Sequence, residues 1–289
     1  MKRTGVRKPD WLKVKMPGGE GYRLIDSYHR ERGLNTVCRS AACPNQAECW
    51  GSGTVTFMIL GDRCSRNCAF CNVQNDHPMP PDPTEASKVA TAVAELKLRH
   101  AVITSVTRDD LPDGGGACFA ELVFAIRDRA PDCTIELLIP DLQGDAAALQ
   151  TILSSGPDIL GHNIETVPRL YTLARAGADY RRSLDLLAAS GRLAPEIPTK
   201  SGMMLGMGER EDEIVCVLQD LVAAGCKLLT LGQYLQPTKE HLPVDRYLSP
   251  AEFAALGDKA LSLGFSHVES GPLVRSSYHA EQQFQRTQE

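Results

Sequence analysis

No apolar run in the 289 residues approaches the roughly 18 needed to cross a bilayer, so a transmembrane helix is not expected. The first residues, MKRTGVRKPDWLK, lack the apolar stretch of a secretory signal. Their composition argues against export and for a cytoplasmic protein. There is no internal repeat and no low-complexity segment, and none of the seven histidines shows metal-type pairing. Excess positive charge is also missing: 31 Lys and Arg face 36 Asp and Glu, a net of −5. Nucleic acid is therefore a poor candidate partner. The basic residues that exist are concentrated early, with nine Lys/Arg against four Asp/Glu in residues 1–35. A solvated arm that wraps over its own domain is the favoured reading, and docking of an acidic protein partner is the alternative.

What is present is cysteine, ten residues of it. In a reducing compartment, clustered cysteines are ligands or redox groups more often than disulfides. Three form Cys64-Ser-Arg-Asn-Cys68-Ala-Phe-Cys71, a CxxxCxxC spacing. Three thiolates on one short loop suit three irons of a [4Fe–4S] cluster and leave the fourth iron open, as chemistry requires. Three more form Cys38-Arg-Ser-Ala-Ala-Cys43-Pro-Asn-Gln-Ala-Glu-Cys49, which suggests a second cluster completed from elsewhere. Structural zinc or a redox set competes for this group, although no histidine lies within the motif. Cys118, Cys133, Cys216 and Cys226 fit neither motif and are expected to be buried small apolar residues.

Beyond residue 53, short β-branched runs alternate with amphipathic stretches. Strands are predicted at Thr54–Leu60, Ala101–Thr107, Thr134–Ile139, Asp158–Asn163, Thr199–Leu205 and Lys227–Tyr234. Helices are predicted at Thr84–Arg99, Ala117–Arg129, Asp145–Leu153, Val167–Ala176, Arg181–Ser190, Glu209–Ala224 and Pro250–Leu263, with a short last strand at Phe265–Glu269. Six β–α units imply an α/β fold with a parallel sheet. An open partial (β/α)6 TIM-type barrel is expected, with a doubly wound sheet as runner-up and the site at the carboxyl ends of the strands. The organisation expected is an N-terminal cluster-binding extension (1–53), the barrel (54–248) and a C-terminal helix with its extension (249–289).

CxxxCxxC, an aromatic residue before its last cysteine and the β/α alternation together resemble the radical S-adenosylmethionine superfamily. Within it, the paired cysteine motifs are similar to those of lipoyl synthases. The resemblance continues through Thr104-Ser-Val-Thr-Arg-Asp-Asp-Leu-Pro-Asp-Gly-Gly-Gly116, Gly161-His-Asn-Ile-Glu-Thr166, Lys200-Ser-Gly-Met-Met-Leu-Gly206, Gly232-Gln-Tyr-Leu-Gln-Pro-Thr238 and Val274-Arg-Ser-Ser-Tyr-His-Ala280. These blocks span about residues 30 to 280.

The resemblance implies two [4Fe–4S] clusters and S-adenosylmethionine as cofactors. It further implies insertion of two sulfur atoms at carbons 6 and 8 of an octanoyl chain on a lysine of a carrier protein. Cys64, Cys68 and Cys71 would hold the radical cluster, and Cys38, Cys43 and Cys49 the auxiliary one that supplies sulfur. A serine of the RSSY motif, Ser276 or Ser277, would complete the auxiliary site, and Ser277 is the choice. Contacts to S-adenosylmethionine would come from Phe70, Asp109, Gly114, Gly115, Asn163, Glu165, Arg181 and Lys200, with Met203 and Met204 packing nearby. An octanoylated lipoyl carrier, an electron donor and an iron–sulfur assembly or carrier protein are the implied partners. The competing functions are a radical enzyme that adds sulfur to a free small molecule, and a non-catalytic two-cluster carrier.

Overall fold

The structure is a computed structural model that describes residues 7–14, 18–51 and 54–285. The remaining parts of the basic N-terminal stretch, and the last four residues, lie outside the described residues. Seven parallel strands run in chain order across one sheet: β1 (Thr56–Ile59), β4 (His100–Ser105), β5 (Thr134–Leu138), β6 (Ile159–Gly161), β7 (Thr199–Leu205), β8 (Leu228–Gln233) and β9 (His267–Gly271). Two two-residue strands, β2 (Arg63–Cys64) and β3 (Gln74–Asn75), pair in parallel at either side of the cysteine loop. Strands β1 and β9 do not pair with each other, so the barrel is open, as expected. The short final run is a true seventh strand, and the sheet therefore extends past residue 248.

Helices alternate with the strands: α4 (Glu85–Glu95), α5 (Gly116–Arg129), α6 (Ala146–Ser154), α8 (Tyr180–Leu193), α9 (Glu211–Ala223) and α10 (Pro250–Leu263). Local sequence sets their ends. Ser249 and Glu252 cap the start of α10 reciprocally with Pro250 in its first turn, and Gly264 stops it in the left-handed region. The stretch expected as one helix over 167–176 is instead a 3-10 turn, Pro168–Leu170, followed by the four-residue α7 (Tyr171–Ala174). Three helices precede the barrel: α1 (Glu20–Arg32), α2 (Val37–Ser40) and α3 (Gln46–Gly51). A last one, α11 (Ala280–Gln285), follows it.

Both chain extensions converge on the open side. Thr36 bridges antiparallel to Phe57 of β1, and the Met58 amide donates to the Asn35 carbonyl. From the other edge, residues after β9 cross toward the early helices. Asn45 Nδ2 donates to the Leu273 carbonyl at 2.5 Å, and the Tyr278 hydroxyl donates to Glu48 at 3.1 Å. Segments far apart in sequence thus seal the gap that six or seven strands leave in an eight-strand closure.

Candidate active site

A cavity of about 610 Å³ occupies the carboxyl ends of the strands. It is lined by Cys64, Cys68 and Cys71 on one side and by Cys38, Cys43, Ser276 and Ser277 on another. A smaller cavity beside it is lined by Cys38, Cys43, Cys49 and Ser277. None of the ten cysteines is in a disulfide.

The CxxxCxxC loop leaves β2 and is fixed by backbone contacts. The Ser65 amide and hydroxyl both donate to the Thr107 carbonyl at 3.0 Å, and the Thr107 amide points at Cys64 Sγ at 3.4 Å. The Ala69 amide donates to the Ala174 carbonyl, and the Leu242 amide to the Ala69 carbonyl. His241 Nε2 meets the Cys71 carbonyl at 2.9 Å and donates to it. Inside the loop, Arg66 forks onto two carboxylates, Asp109 (2.6 and 2.8 Å) and Asp141 (2.7 and 3.0 Å). Against the cost of burial, Arg66 together with the Gln143 amide and Arg182 pulls Asp141 down to about 2.

The thiols fit anionic ligation to iron. Burial, together with Cys71, pushes the Cys68 thiol up to about 12, and burial pushes Cys71 to about 11. Cys49 is likewise pushed to about 12 by burial and by Cys43 and Cys38. Thiols raised by burial and by one another ionise readily only when a metal charge offsets both effects. Among the described residues no three His, Cys, Asp or Glu side chains converge on a single-ion site.

Glu165 stands after β6 with φ at +67°, a left-handed backbone that a non-glycine residue adopts only under constraint. The constraint is visible: its amide donates to the Gly202 carbonyl and its carbonyl accepts from the Met204 amide. Burial holds its carboxyl above the usual range, with Arg175 opposing. Asn163 Nδ2 donates to Glu165 Oε1 at 3.0 Å. Phe70, Met203 and Met204 line the same cavity.

Other expected contacts lie elsewhere. Arg181 is exposed on the first turn of α8 and pairs with Asp185. Lys200 points into the barrel but is buried one layer lower, 2.7 Å from Glu136, with His100 on the other carboxylate oxygen. Asp109 is committed to Arg66, and Gly114 and Gly115 do not line the central cavity. Gly115 is instead a close-packing position, where a Cβ would stand 2.3 Å from Leu60 Cδ1. Cys216 is exposed and Cys118 half-buried, so only Cys133 and Cys226 are buried as expected.

One cation at the cavity was not anticipated. Arg175 lines it, and its hydrogen-bond partners are uncharged: the Tyr171 hydroxyl at 3.0 Å, Ser183 at 3.1 Å and His162 Nε2 at 3.4 Å. Burial and Arg175 pull His162 down to about 3, so its ring is neutral, with Nδ1 donating to the Ile139 carbonyl. Arg275 also lines the cavity, half-buried, with Cys43 and Glu165 both acting on its charge.

A profile of the Radical SAM superfamily matches residues 58–221. The chain is 56% identical to the lipoyl synthase of Methylococcus capsulatus over 279 residues, 96% of this chain and 87% of that protein. It is 55% identical to the lipoyl synthase of Desulfotalea psychrophila over 283 residues, covering 98% and 95%. Among solved structures the fold is similar to methylornithine synthase, with a TM-score of 0.56 at 14% identity and coverage of 86% and 77%. It is also similar to HydG, a maturase of the [FeFe]-hydrogenase, with a TM-score of 0.56 at 11% identity and coverage of 79% and 61%. The chain belongs to the lipoyl synthase family of the radical S-adenosylmethionine superfamily.

Proposed function

We propose that this cavity inserts two sulfur atoms, at carbons 6 and 8, into an octanoyl chain carried on the lysine of a lipoyl carrier protein. Cys64, Cys68 and Cys71 hold one [4Fe–4S] cluster; Cys38, Cys43, Cys49 and Ser277 hold the other. The observation that carries the reading is that Cys64, Cys68 and Cys71 border one chamber with Cys38 and Cys43, which share a smaller adjoining cavity with Cys49. When bound, S-adenosylmethionine and the first cluster supply a 5′-deoxyadenosyl radical, and the second cluster supplies sulfur. A radical route suits the substrate, because its unactivated C–H bonds give an acid or base nothing to act on.

The chain's own part is placement and exclusion of water. Glu165, already aimed into the cavity, accepts from ribose hydroxyls, and Asn163 Oδ1 is a further acceptor beside it. Phe70, Met203 and Met204 pack against the apolar faces of cofactor and acyl chain. Arg175, whose hydrogen-bond partners are neutral although its charge also acts on Glu165, offers a cation to a carboxylate and takes the role considered for Arg181 and Lys200. Ser277 rather than Ser276 closes the auxiliary site, because Ser276 already accepts from Asn163 at 2.7 Å. An oxygen ligand leaves iron more easily than a thiolate when a cluster is dismantled.

Among the described residues no helix is long and apolar enough to cross a membrane. A cytoplasmic location, a reducing electron donor and an iron–sulfur carrier that rebuilds the spent cluster complete the proposal. Iron analysis tests it: about eight irons per chain are expected, and about four after Cys→Ala changes in either set. Changes at Cys64, Cys68 or Cys71 abolish S-adenosylmethionine cleavage; changes at Cys38, Cys43 or Cys49 spare cleavage and stop sulfur insertion. Identical behaviour of the two sets contradicts the proposal.

A further inference from the structure

The two halves of the cavity meet at one side chain. Asn163 Nδ2 carries two hydrogens, and both are committed, to Glu165 Oε1 at 3.0 Å and to Ser276 Oγ at 2.7 Å. Glu165 belongs to the side that faces Cys68, and its backbone is pinned in the left-handed region. Ser276 is 113 residues further along the chain and precedes Ser277, which borders the small cavity with Cys38, Cys43 and Cys49. Two glycines make this approach possible. A Cβ on Gly202 would stand 2.9 Å from Asn163 Oδ1, and one on Gly232 would stand 2.1 Å from the Val274 carbonyl oxygen. The segment 274–277 is thus bedded on β8 and tied to the end of β6.

We propose that Ser276 is a positioning residue that couples the ribose-reading pair to the auxiliary site, by tying the seating of Ser277 to occupancy of Asn163 and Glu165. The inference rests on the assignment of the two sites given above. The Asn163 amide cannot turn without breaking both of its bonds, so a ligand that fixes Glu165 also fixes Ser276. Coupling of this kind is reciprocal: a strap seated on the auxiliary side favours the ligand, and the ligand favours the seated strap. It gives the enzyme a reason to carry two adjacent serines, one as a ligand and one to hold it.

The test uses the full chain with both clusters reconstituted and S-adenosylhomocysteine as the probe. In the unaltered protein the probe slows amide hydrogen exchange across residues 273–279 several-fold. In Ser276→Ala exchange there is faster without the probe and does not respond to it. The variant also binds the probe about two- to tenfold more weakly, the worth of one hydrogen bond. Ser276→Thr, which keeps the hydroxyl, restores the response. Equal probe-induced protection in Ser276→Ala and the unaltered protein overturns the coupling, as does absence of protection in the unaltered protein. Iron analysis of Ser277→Ala and Cys43→Ala separates this from the site assignment. Loss of about four irons supports that assignment, and full iron overturns it whatever the exchange data show.

Discussion

Arg66 lies between two cluster cysteines and is the only link from their loop to the Asp109 and Asp141 carboxylates among the described residues. Its replacement by alanine removes one partner from a buried ion pair, a change that costs about 3–5 kcal/mol when the remaining charge is fully stranded. Here the stranding is incomplete. Asp141 is fully buried but keeps Arg182 at 3.0 Å and the Gln143 amide at 3.1 Å, while Asp109 is 31% exposed and can hydrate. The expected loss is therefore about 2–3 kcal/mol at pH 7. The acid dependence has a definite sign. Asp141 is held near 2 against an ordinary 3.8, so its contribution is complete above 3.8 and disappears as pH falls through about 2. The assay is urea denaturation of the metal-free protein, which keeps cluster loss out of the comparison. The gap between Arg66→Ala and the unaltered protein should be the same at pH 7 and pH 5 and narrower at pH 3. Arg66→Lys, a point charge in place of a fork, should recover part of it. A gap below about 0.5 kcal/mol at pH 7, or one indifferent to pH down to 3, refutes the clamp.

Glu165→Gln should weaken S-adenosylhomocysteine binding about tenfold, measured by calorimetry, as expected for a lost charge-assisted hydrogen bond. The same variant should be more stable than the unaltered metal-free protein at neutral pH. Burial raises the Glu165 carboxyl, so its ionisation opposes folding as pH rises through the raised value, and the two proteins should converge in acid. Gly232→Ala should push the 274–277 segment off β8 and lower iron by about four per chain while S-adenosylmethionine cleavage survives. Lys200→Met should cost about 2–3 kcal/mol in denaturation by leaving buried Glu136 with His100 alone, and cofactor affinity in the surviving folded protein should not change.

The cysteine loop and the strands were legible because both are local patterns. CxxxCxxC declares itself by spacing, and β7 and α10 carry their own boundaries in Thr199–Leu205 and in the Ser249–Gly264 caps. Glu165 and Asn163 were legible through a family block rather than through periodicity. The cation at the cavity was not. Arg175 and Arg181 lie six residues apart in one polar stretch. Arg175 sits just past α7 with φ −129° and ψ 70°, so a chain reversal aims it, not a helical period. Lys200 shows the complementary failure: strand alternation correctly turns it inward, yet depth along the barrel depends on register with Glu136 on β5, two strands away. The choice between Ser276 and Ser277 likewise depends on Asn163, a partner in another unit of the barrel. Helix α1 escaped notice because charge of both signs is spread over EGYRLIDSYHRER and no wide apolar stripe stands out.

The most direct test is mass spectrometry of an octanoylated carrier protein after a single turnover by enzyme whose cluster sulfide has been replaced with sulfur-34. Incorporation of two heavy sulfur atoms into the carrier's acyl chain, abolished by Cys43→Ala and by Cys68→Ala alike, is the expected result. Sulfur of natural mass in the product, or heavy sulfur transferred equally well after Cys43→Ala, would contradict the account.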